Sequence, residues 1–199
     1  MIKTKSDYRY YIKCDEIARF QKEVGFFRKL ACGKQWRFNV LLRKMEYNEN
    51  CRTGIIKKLL ALFYKLRMRK LSERLGWFVA PNVFGPGLCI AHIAPVIVNG
   101  NAKFGSNCKI QAMVNIGANA GGKEAPKGGD FVYFGPGAKV FGDIKLGSNV
   151  CIGANAVVNK SFEESNVTIA GVPAKIVARH GCDSFVIDTC KIVDSIIKR

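Results

Sequence analysis

One histidine in the sequence lies in a setting that suits acid–base chemistry. His92 is one of two histidines in the 199-residue chain, and it lies within the apolar stretch GLCIAHIAPVIV (87–98). An unperturbed imidazole has a pKa of about 6.5, so near pH 7 it is mostly neutral and can accept a proton. A histidine among apolar residues can also be a structural side chain with one satisfied hydrogen bond. The surrounding pattern has to decide between these two interpretations.

The eight cysteines do not form a metal-binding pattern. They include no CxxC pair, and no group of histidines and cysteines has the spacing of a zinc site. We therefore expect free thiols in a reducing compartment and no bound metal. The N-terminus is charged, and no apolar run reaches the roughly 18 residues of a membrane span. These features predict a cytoplasmic protein.

A six-residue repeat in the middle of the chain predicts a stacked coil. Large apolar residues, here called anchors, recur every six positions over 98–116 and again, in the same phase, over 134–158. They are Val98, Phe104, Ile110, Ile116, Phe134, Val140, Leu146, Ile152 and Val158. Six residues make one short strand and one turn, so three units close a triangular coil of about 18 residues. The glycine that often follows an anchor would supply backbone space or positive φ at the corners.

Two interruptions of the repeat predict where the chain leaves the stack. Ile90 and Val98 are eight residues apart rather than six, and His92 lies in this interval. An extra bend there would turn the imidazole toward a cleft. The second interruption, ANAGGKEAPKGGDF (118–131), is rich in Gly and Lys. It predicts a mobile loop that closes over an anionic ligand, with a plain surface excursion as the alternative.

The N-terminal segment has a helical pattern and carries most of the charge. Apolar residues at helical spacing predict helices over 6–20, 36–47 and 54–76. Of the 32 Lys and Arg residues, 20 lie in residues 1–76, against 7 of the 15 Asp and Glu residues. The basic helix over 54–76 would either contact an anionic membrane or present the solvated face of a packed helical subdomain. No nucleic-acid recognition motif is present, so we expect no nucleic-acid partner.

The change in composition near Gly76 predicts three regions. These are a basic helical region (1–76), a coil domain (77–177) and a C-terminal helical tail (178–199). In the tail, Val186, Cys190, Val193 and Ile197 have helical spacing, and His180 at its start is interpreted as structural.

The repeat, written [LIV]-G-x-x-[AV]-x, resembles that of the hexapeptide-repeat acyltransferases, and within them the serine O-acetyltransferase branch. The matching stretches cover about half of the chain and are GLCIAHIAPVIVNGNAKFGSNCKI, GPGAKVFGDIKLGSNVCIGANAVVNKSF and IAGVPAKIV. The resemblance implies a mainly β fold, a left-handed parallel β-helix preceded by α-helices. It also implies a homotrimer, with N-terminal helices that would join trimers in pairs, and an O-acetyltransferase that uses acetyl-CoA.

The resemblance assigns roles to individual residues. It places the family's catalytic base at His92, in the segment GLCIAH. The coenzyme would lie in a groove between subunits and contact six residues, namely Ala118, Pro136, Ala154, Asn159, Lys160 and Lys175. Since no Ser or Cys is placed beside a base to form an acyl-enzyme, we expect direct transfer within a ternary complex.

The acceptor is harder to predict, because three polar groups typical of serine acetyltransferases are missing. Ala91 replaces an aspartate, the stretch GWFVAPN (76–82) lacks an orienting aspartate, and Ala125 stands where a second histidine would fall. Glu124 or Asp130 would orient His92 instead, with plain solvated loop charges as the alternative interpretation of both residues. We therefore expect a larger hydroxyl acceptor, such as a sugar of a surface polysaccharide or its lipid-linked precursor. L-Serine is the alternative acceptor, and a non-catalytic β-helix scaffold is the alternative from another class.

Overall fold

Short parallel strands stacked on three faces form the body of the molecule. The structure is a computed structural model that describes residues 1–22, 24–25, 27 and 33–198. Face A contains β1 (Trp77–Val79), β3 (Val96–Val98), β6 (Asn115–Gly117), β9 (Lys139–Phe141) and β12 (Val157–Val158). Face B contains β4 (Lys103–Phe104), β7 (Lys127–Gly128) and β10 (Lys145–Leu146). Face C contains β2 (Cys89–Ile90), β5 (Lys109–Ile110), β8 (Tyr133–Phe134), β11 (Val150–Ile152), β13 (Val167–Gly171) and β14 (Ala174–Ala178).

The chain visits faces C, A and B in turn, so each circuit is one triangular coil. All strand pairs are parallel except the terminal hairpin of β13 and β14. Lys139 pairs with Val157 in the next coil, 18 positions later. The offset is 20 between Cys89 and Lys109, and 24 between Asn115 and Lys139. The 18-residue coil is confirmed, and the two longer coils hold the predicted interruptions.

The anchors fill the interior of the coil, as the repeat predicts. Each of the nine is at most 6% exposed. The rings of Phe84, Phe104 and Phe134 follow one another through the core, with centroids 5.4 Å and 5.1 Å apart. Burial of these side chains supplies the main stabilising term of the coil.

Glycines after the anchors serve close approach between coils rather than positive φ. A Cβ at Gly135 would lie 2.5 Å from the carbonyl oxygen of Ile152, which is too close for any other residue. Asparagine adopts the positive φ at several corners instead, as at Asn107 (57°) and Asn149 (55°). Its short polar side chain tolerates this backbone region better than most.

The Gly-rich excursion spans residues 118–126, so it is shorter than the stretch 118–131 that the sequence predicts. The chain leaves face A after Gly117 and rejoins face B at Lys127, where β7 pairs with both β4 and β10. A Cβ at Gly128 would lie 2.6 Å from the ring of Phe104. The phenylalanine therefore occupies the space that a side chain at this anchor position would need.

In the described part of the N-terminal region, the helices α1 (Lys5–Phe20), α2 (Gly33–Cys51) and α3 (Gly54–Leu75) cover the first coil. Helix α1 begins with a capping box, in which the Thr4 side chain accepts from the Asp7 amide and the Asp7 carboxylate accepts from the Thr4 amide. Gly76 caps the C-terminus of helix α3, with a φ of 71° that suits glycine. Among the helices of the described residues, none has the length and apolarity needed to cross a bilayer.

The C-terminal helix α4 (Thr189–Ile197) is shorter than the predicted helical tail. Strand β14 continues to Ala178, and the Asp188 side chain caps the helix by accepting from the Lys191 amide at 3.0 Å. Val186 and His180 therefore precede the helix. His180 is exposed, and its carbonyl oxygen accepts from the Thr168 hydroxyl at 2.8 Å.

Candidate functional site

His92 lies on the edge of the prism where face C turns into face A. It occupies the bend between β2 and β3, and its side chain is exposed. Within the described ranges, no hydrogen-bond partner of the imidazole is found in the single chain. The ring is therefore open to solvent and to a ligand that lies along this edge.

Two further candidate residues lie on this edge, which we call the C–A edge. Pro136 follows β8 and Ala154 follows β11, one and two coils beyond the turn at Ala112. Their stacking is held by backbone bonds, because Gly137 donates to the Ala112 carbonyl and Asn155 to the Pro136 carbonyl, each at 2.8 Å. Both Pro136 and Ala154 are exposed, so a chain-like ligand could contact successive coils beyond the imidazole.

The remaining coenzyme candidates do not share this edge. Ala118 follows β6, while Asn159 and Lys160 follow β12, so all three lie where face A turns into face B. We call this the A–B edge. The Lys160 ammonium lies 5.5 Å from the centroid of the Phe162 ring. Lys175 lies further along the prism on β14 and is exposed. Within one chain, face A separates Ala118, Asn159 and Lys160 from His92.

The backbone before His92 is held by two helical side chains that the sequence patterns do not indicate. The Arg19 guanidinium of α1 donates to the Ile90 carbonyl at 2.7 Å. The Gln35 amide of α2 donates to the Ala91 carbonyl at 3.4 Å and also accepts a hydrogen bond from Arg19. The Ala91 amide donates to the Ile110 carbonyl at 2.9 Å. The position of His92 therefore depends on α1 and α2 as well as on the coil.

A buried ionic network holds the segment that leads into β2. Arg43 of α2 donates to both oxygens of Asp15 of α1, at 2.8 and 3.1 Å, and to Glu46 at 2.9 Å. It also donates to the carbonyls of Phe84 and Gly85, at 2.9 and 2.7 Å. Asp15 in turn accepts from the amides of residues 87 and 88, both at 2.9 Å.

The charges of Arg43 and Asp15 depend on each other because both side chains are fully buried. Burial raises the pKa of the Asp15 carboxyl, and the Arg43 guanidinium opposes that rise. Burial would lower the pKa of Arg43, but the Asp15 and Glu46 carboxylates outweigh it and hold that pKa above its ordinary value. Neither residue stands out in the sequence, because the contacts join distant parts of the chain.

The two carboxylates expected to orient His92 are engaged elsewhere. Asp130 precedes β8, on the edge between faces B and C, and accepts from the Ser106 amide and hydroxyl at 2.6 and 2.8 Å. Glu124 lies in the excursion and pairs with Lys127 at 3.2 Å. Within the chain neither contacts His92, so that part of the expectation is wrong for the single subunit.

No metal centre is found in the part of the chain that the structure describes. It contains no group of three or more His, Cys, Asp or Glu side chains that could hold a metal ion.

Comparison of the sequence with curated proteins gives serine acetyltransferases. The serine acetyltransferase of Synechococcus elongatus is 30% identical over 199 residues, which cover 98% of this chain and 76% of that protein. The Mycobacterium tuberculosis enzyme is 39% identical over 99 residues, covering 49% of this chain and 43% of that protein. The latter match therefore spans less than half of the relative's length. No family model matches the chain.

Solved structures of the same name share the fold. Serine acetyltransferase from Brucella abortus strain S19 superposes with a TM-score of 0.72 at 26% identity, covering 89% of this chain and 72% of that one. The complex of the same enzyme with coenzyme A superposes with a TM-score of 0.69 at 26% identity, covering 89% of this chain and 68% of that one. The Neisseria gonorrhoeae enzyme in complex with serine superposes with a TM-score of 0.68 at 28% identity, covering 87% of this chain and 70% of that one. The coil is thus a left-handed parallel β-helix, and the chain belongs to the serine acetyltransferase family.

Proposed function

We propose that the chain is an acyltransferase that moves the acetyl group of acetyl-CoA to the hydroxyl of L-serine. The observation that carries this proposal is the exposed His92 on an edge of a β-helix whose structural relatives were solved with coenzyme A and with serine. The comparisons favour L-serine over the polysaccharide sugar expected from the sequence.

The proposed reaction needs a base, an attacking oxygen and a leaving thiol. His92 takes the proton of the serine hydroxyl as its oxygen attacks the thioester carbonyl carbon of acetyl-CoA. The tetrahedral adduct collapses by breaking the carbon–sulfur bond. The imidazolium then returns the proton to the departing sulfur, so that O-acetylserine and coenzyme A leave and His92 is neutral again.

The coenzyme site is proposed to combine two subunits of a homotrimer. In one chain, His92, Pro136 and Ala154 lie on the C–A edge, while Ala118 and Asn159 lie on the A–B edge. A groove lined by both edges needs the C–A edge of one subunit to face the A–B edge of its neighbour. Lys160 and Lys175 would then meet the phosphates as positive charges.

All seven described cysteines are free thiols, which supports a reducing compartment such as the cytoplasm.

A sugar hydroxyl is the second candidate acceptor, favoured by the residues near the base. The methyl side chain of Ala91 cannot accept a hydrogen bond from an amino group, as an aspartate at this position would. Ala125, where a second histidine was expected, is fully buried. A site with fewer charged groups suits a neutral polyol better than a zwitterion.

The test measures free-thiol release from acetyl-CoA by the purified full chain. L-Serine is compared with glycine, which lacks the hydroxyl, and with a panel of free and nucleotide-linked sugars. Release that depends on L-serine supports the proposal. Release with a sugar but not with L-serine would replace the acceptor, and release with neither would favour the scaffold interpretation.

A further inference from the structure

Helix α3 exposes an apolar stripe that its packing in the fold does not use. Six large apolar side chains, each 49–67% exposed, form this stripe, namely Ile55, Ile56, Leu59, Leu62, Phe63 and Leu66. At about 100° per residue they fall within roughly one third of the helix circumference. We call this surface the outer stripe.

The opposite side of the same helix makes the contacts with the rest of the molecule. Met68, Ser72 and Leu75 are buried. Tyr64 and Leu71 are partly buried and pack against the apolar core that α2 and the coil share. The helix therefore has two apolar sides, of which one is satisfied by α2 and the first coil. Exposure of six large apolar residues in one continuous stripe is more than scattered surface residues explain.

Positive charges flank the outer stripe on both sides. Lys58, Lys65 and Arg69 lie along one margin, and Arg67 and Arg74 lie along the other, all of them exposed. The Arg67 guanidinium lies 5.4 Å from the centroid of the Phe63 ring, so it covers the stripe's margin. The only carboxylate of the helix, Glu73, pairs with Arg69 at 2.9 Å. The stripe thus lies between two rows of cations.

An apolar groove extends this surface toward α2. It has a volume of about 670 Å³, and its walls include Trp36, Val40 and Leu41 of α2 together with Phe63 and Leu71 of α3. Among the described residues that line it, the charged ones are all positive, namely Arg37, Lys44, Arg67, Lys70 and Arg74. Apolar surface inside and cations outside match an amphiphile with a negative head and an apolar tail.

We propose that the outer stripe of α3 docks the protein on an anionic lipid surface. An amphipathic helix with cations along both margins buries its apolar side at the boundary of headgroups and acyl chains, while its long basic side chains reach the phosphates. Charge complementarity decides against a second copy, because the same stripe on another subunit would bring two rows of cations together. This inference does not depend on the proposed acetyl transfer.

The test is sedimentation of the full chain with vesicles of 70% phosphatidylcholine and 30% phosphatidylglycerol, beside vesicles of phosphatidylcholine alone. We expect binding to the anionic vesicles only, and its loss as NaCl is raised to 0.5 M, because salt screens exposed charges. L59Q/L66Q removes apolar contact, and K65Q/R69Q removes charge. Each pair should lower the partition coefficient by about tenfold or more.

The matched control is K145Q/K191Q, which removes two exposed lysines remote from α3 and should bind as the unaltered chain does. Circular dichroism checks that each variant keeps its helices, and light scattering after size exclusion gives its mass. An equal loss of vesicle binding in K145Q/K191Q would show that binding depends only on the net charge of the protein, which would overturn the proposal. A fall in mass on L59Q/L66Q would show that another copy covers the stripe. No binding to any vesicle, with mass unchanged, would point to an acidic protein instead.

Discussion

Removing the Arg43 side chain should be among the most damaging single changes outside the coil. Its guanidinium makes five hydrogen bonds, of which two go to Asp15, one to Glu46 and two to the carbonyls of Phe84 and Gly85. R43M keeps much of the side-chain volume and removes the charge and every donor. The helices α1 and α2 would then face the first coil with an uncompensated carboxylate between them.

The magnitude follows from burial of both charged groups. The side chains of Arg43 and Asp15 are each 0% exposed. Breaking such a pair by removing one partner typically costs about 3–5 kcal/mol, since the remaining charge stays buried without its partner. Asp15 retains the amides of Gly87 and Leu88, which stabilise the carboxylate in part. We therefore expect R43M to lower the free energy of unfolding by about 3 kcal/mol, the lower end of that range.

Urea unfolding at one fixed protein concentration, followed by far-ultraviolet circular dichroism, measures this loss. The matched control is R69M, which breaks the ion pair with Glu73 in which the two side chains are 79% and 58% exposed. Exposed pairs of this kind are worth about 0.5 kcal/mol or less. A loss below about 1 kcal/mol for R43M, or an equal loss for R69M, would refute the view that this network joins the helices to the coil.

Three further predictions concern the backbone before the base, the core and a thiol pair. R19A should lower kcat for acetyl transfer by about tenfold to a hundredfold and leave KM for acetyl-CoA unchanged, because it frees the backbone that places His92. I152A should cost about 2–5 kcal/mol of unfolding free energy in urea, because it opens a cavity between coils. A hydrogen bond from the Cys14 thiol is the main cause that lowers the pKa of Cys190 from 9.0 to about 7. Alkylation of Cys190 should therefore rise with a midpoint near pH 7, and C14A should move that midpoint upward.

Each of these predictions has an outcome that would contradict it. Equal kinetics in R19A would show that the coil alone positions the base, with the exposed charge variant R9A as the control. An I152A loss below about 1 kcal/mol would mean that the core collapses around the gap. An alkylation midpoint near pH 9 would contradict the view that Cys14 lowers the pKa of Cys190. Since the folded-state pKa of Cys190 is depressed, its stabilising contribution is complete above pH 9 and is lost as pH falls through about 7.

The repeat made the coil predictable because each anchor depends on its neighbours in sequence. Ile110 and Val140 point inward for the same local reason, and their six-residue spacing fixes both the strand and the turn. The role of Gly135 was predictable only as a choice between space and positive φ. The distance to the next coil decides that choice, and a one-dimensional pattern does not contain it.

The surroundings of the base were less predictable because they depend on tertiary contacts. Arg19 and Ile90 are 71 positions apart, and Gln35 and Ala91 are 56 apart. Arg19 is an ordinary basic residue in the last turn of a helix, so its type and position do not indicate the contact. The start of α4 was also missed, because apolar spacing extends before the Asp188 cap that begins the helix.

The most direct test of the account is acetyl transfer by the H92A variant beside the unaltered chain. Thiol release is measured with the acceptor that supports the highest rate, and acetyl-CoA affinity is measured by calorimetry. We expect transfer to fall by about 10²–10⁴-fold, the usual contribution of a positioned base, while acetyl-CoA affinity changes less than about twofold. Full transfer by H92A would contradict the assignment of His92 as the base. Loss of acetyl-CoA binding together with activity would show that His92 holds the coenzyme rather than moving the proton.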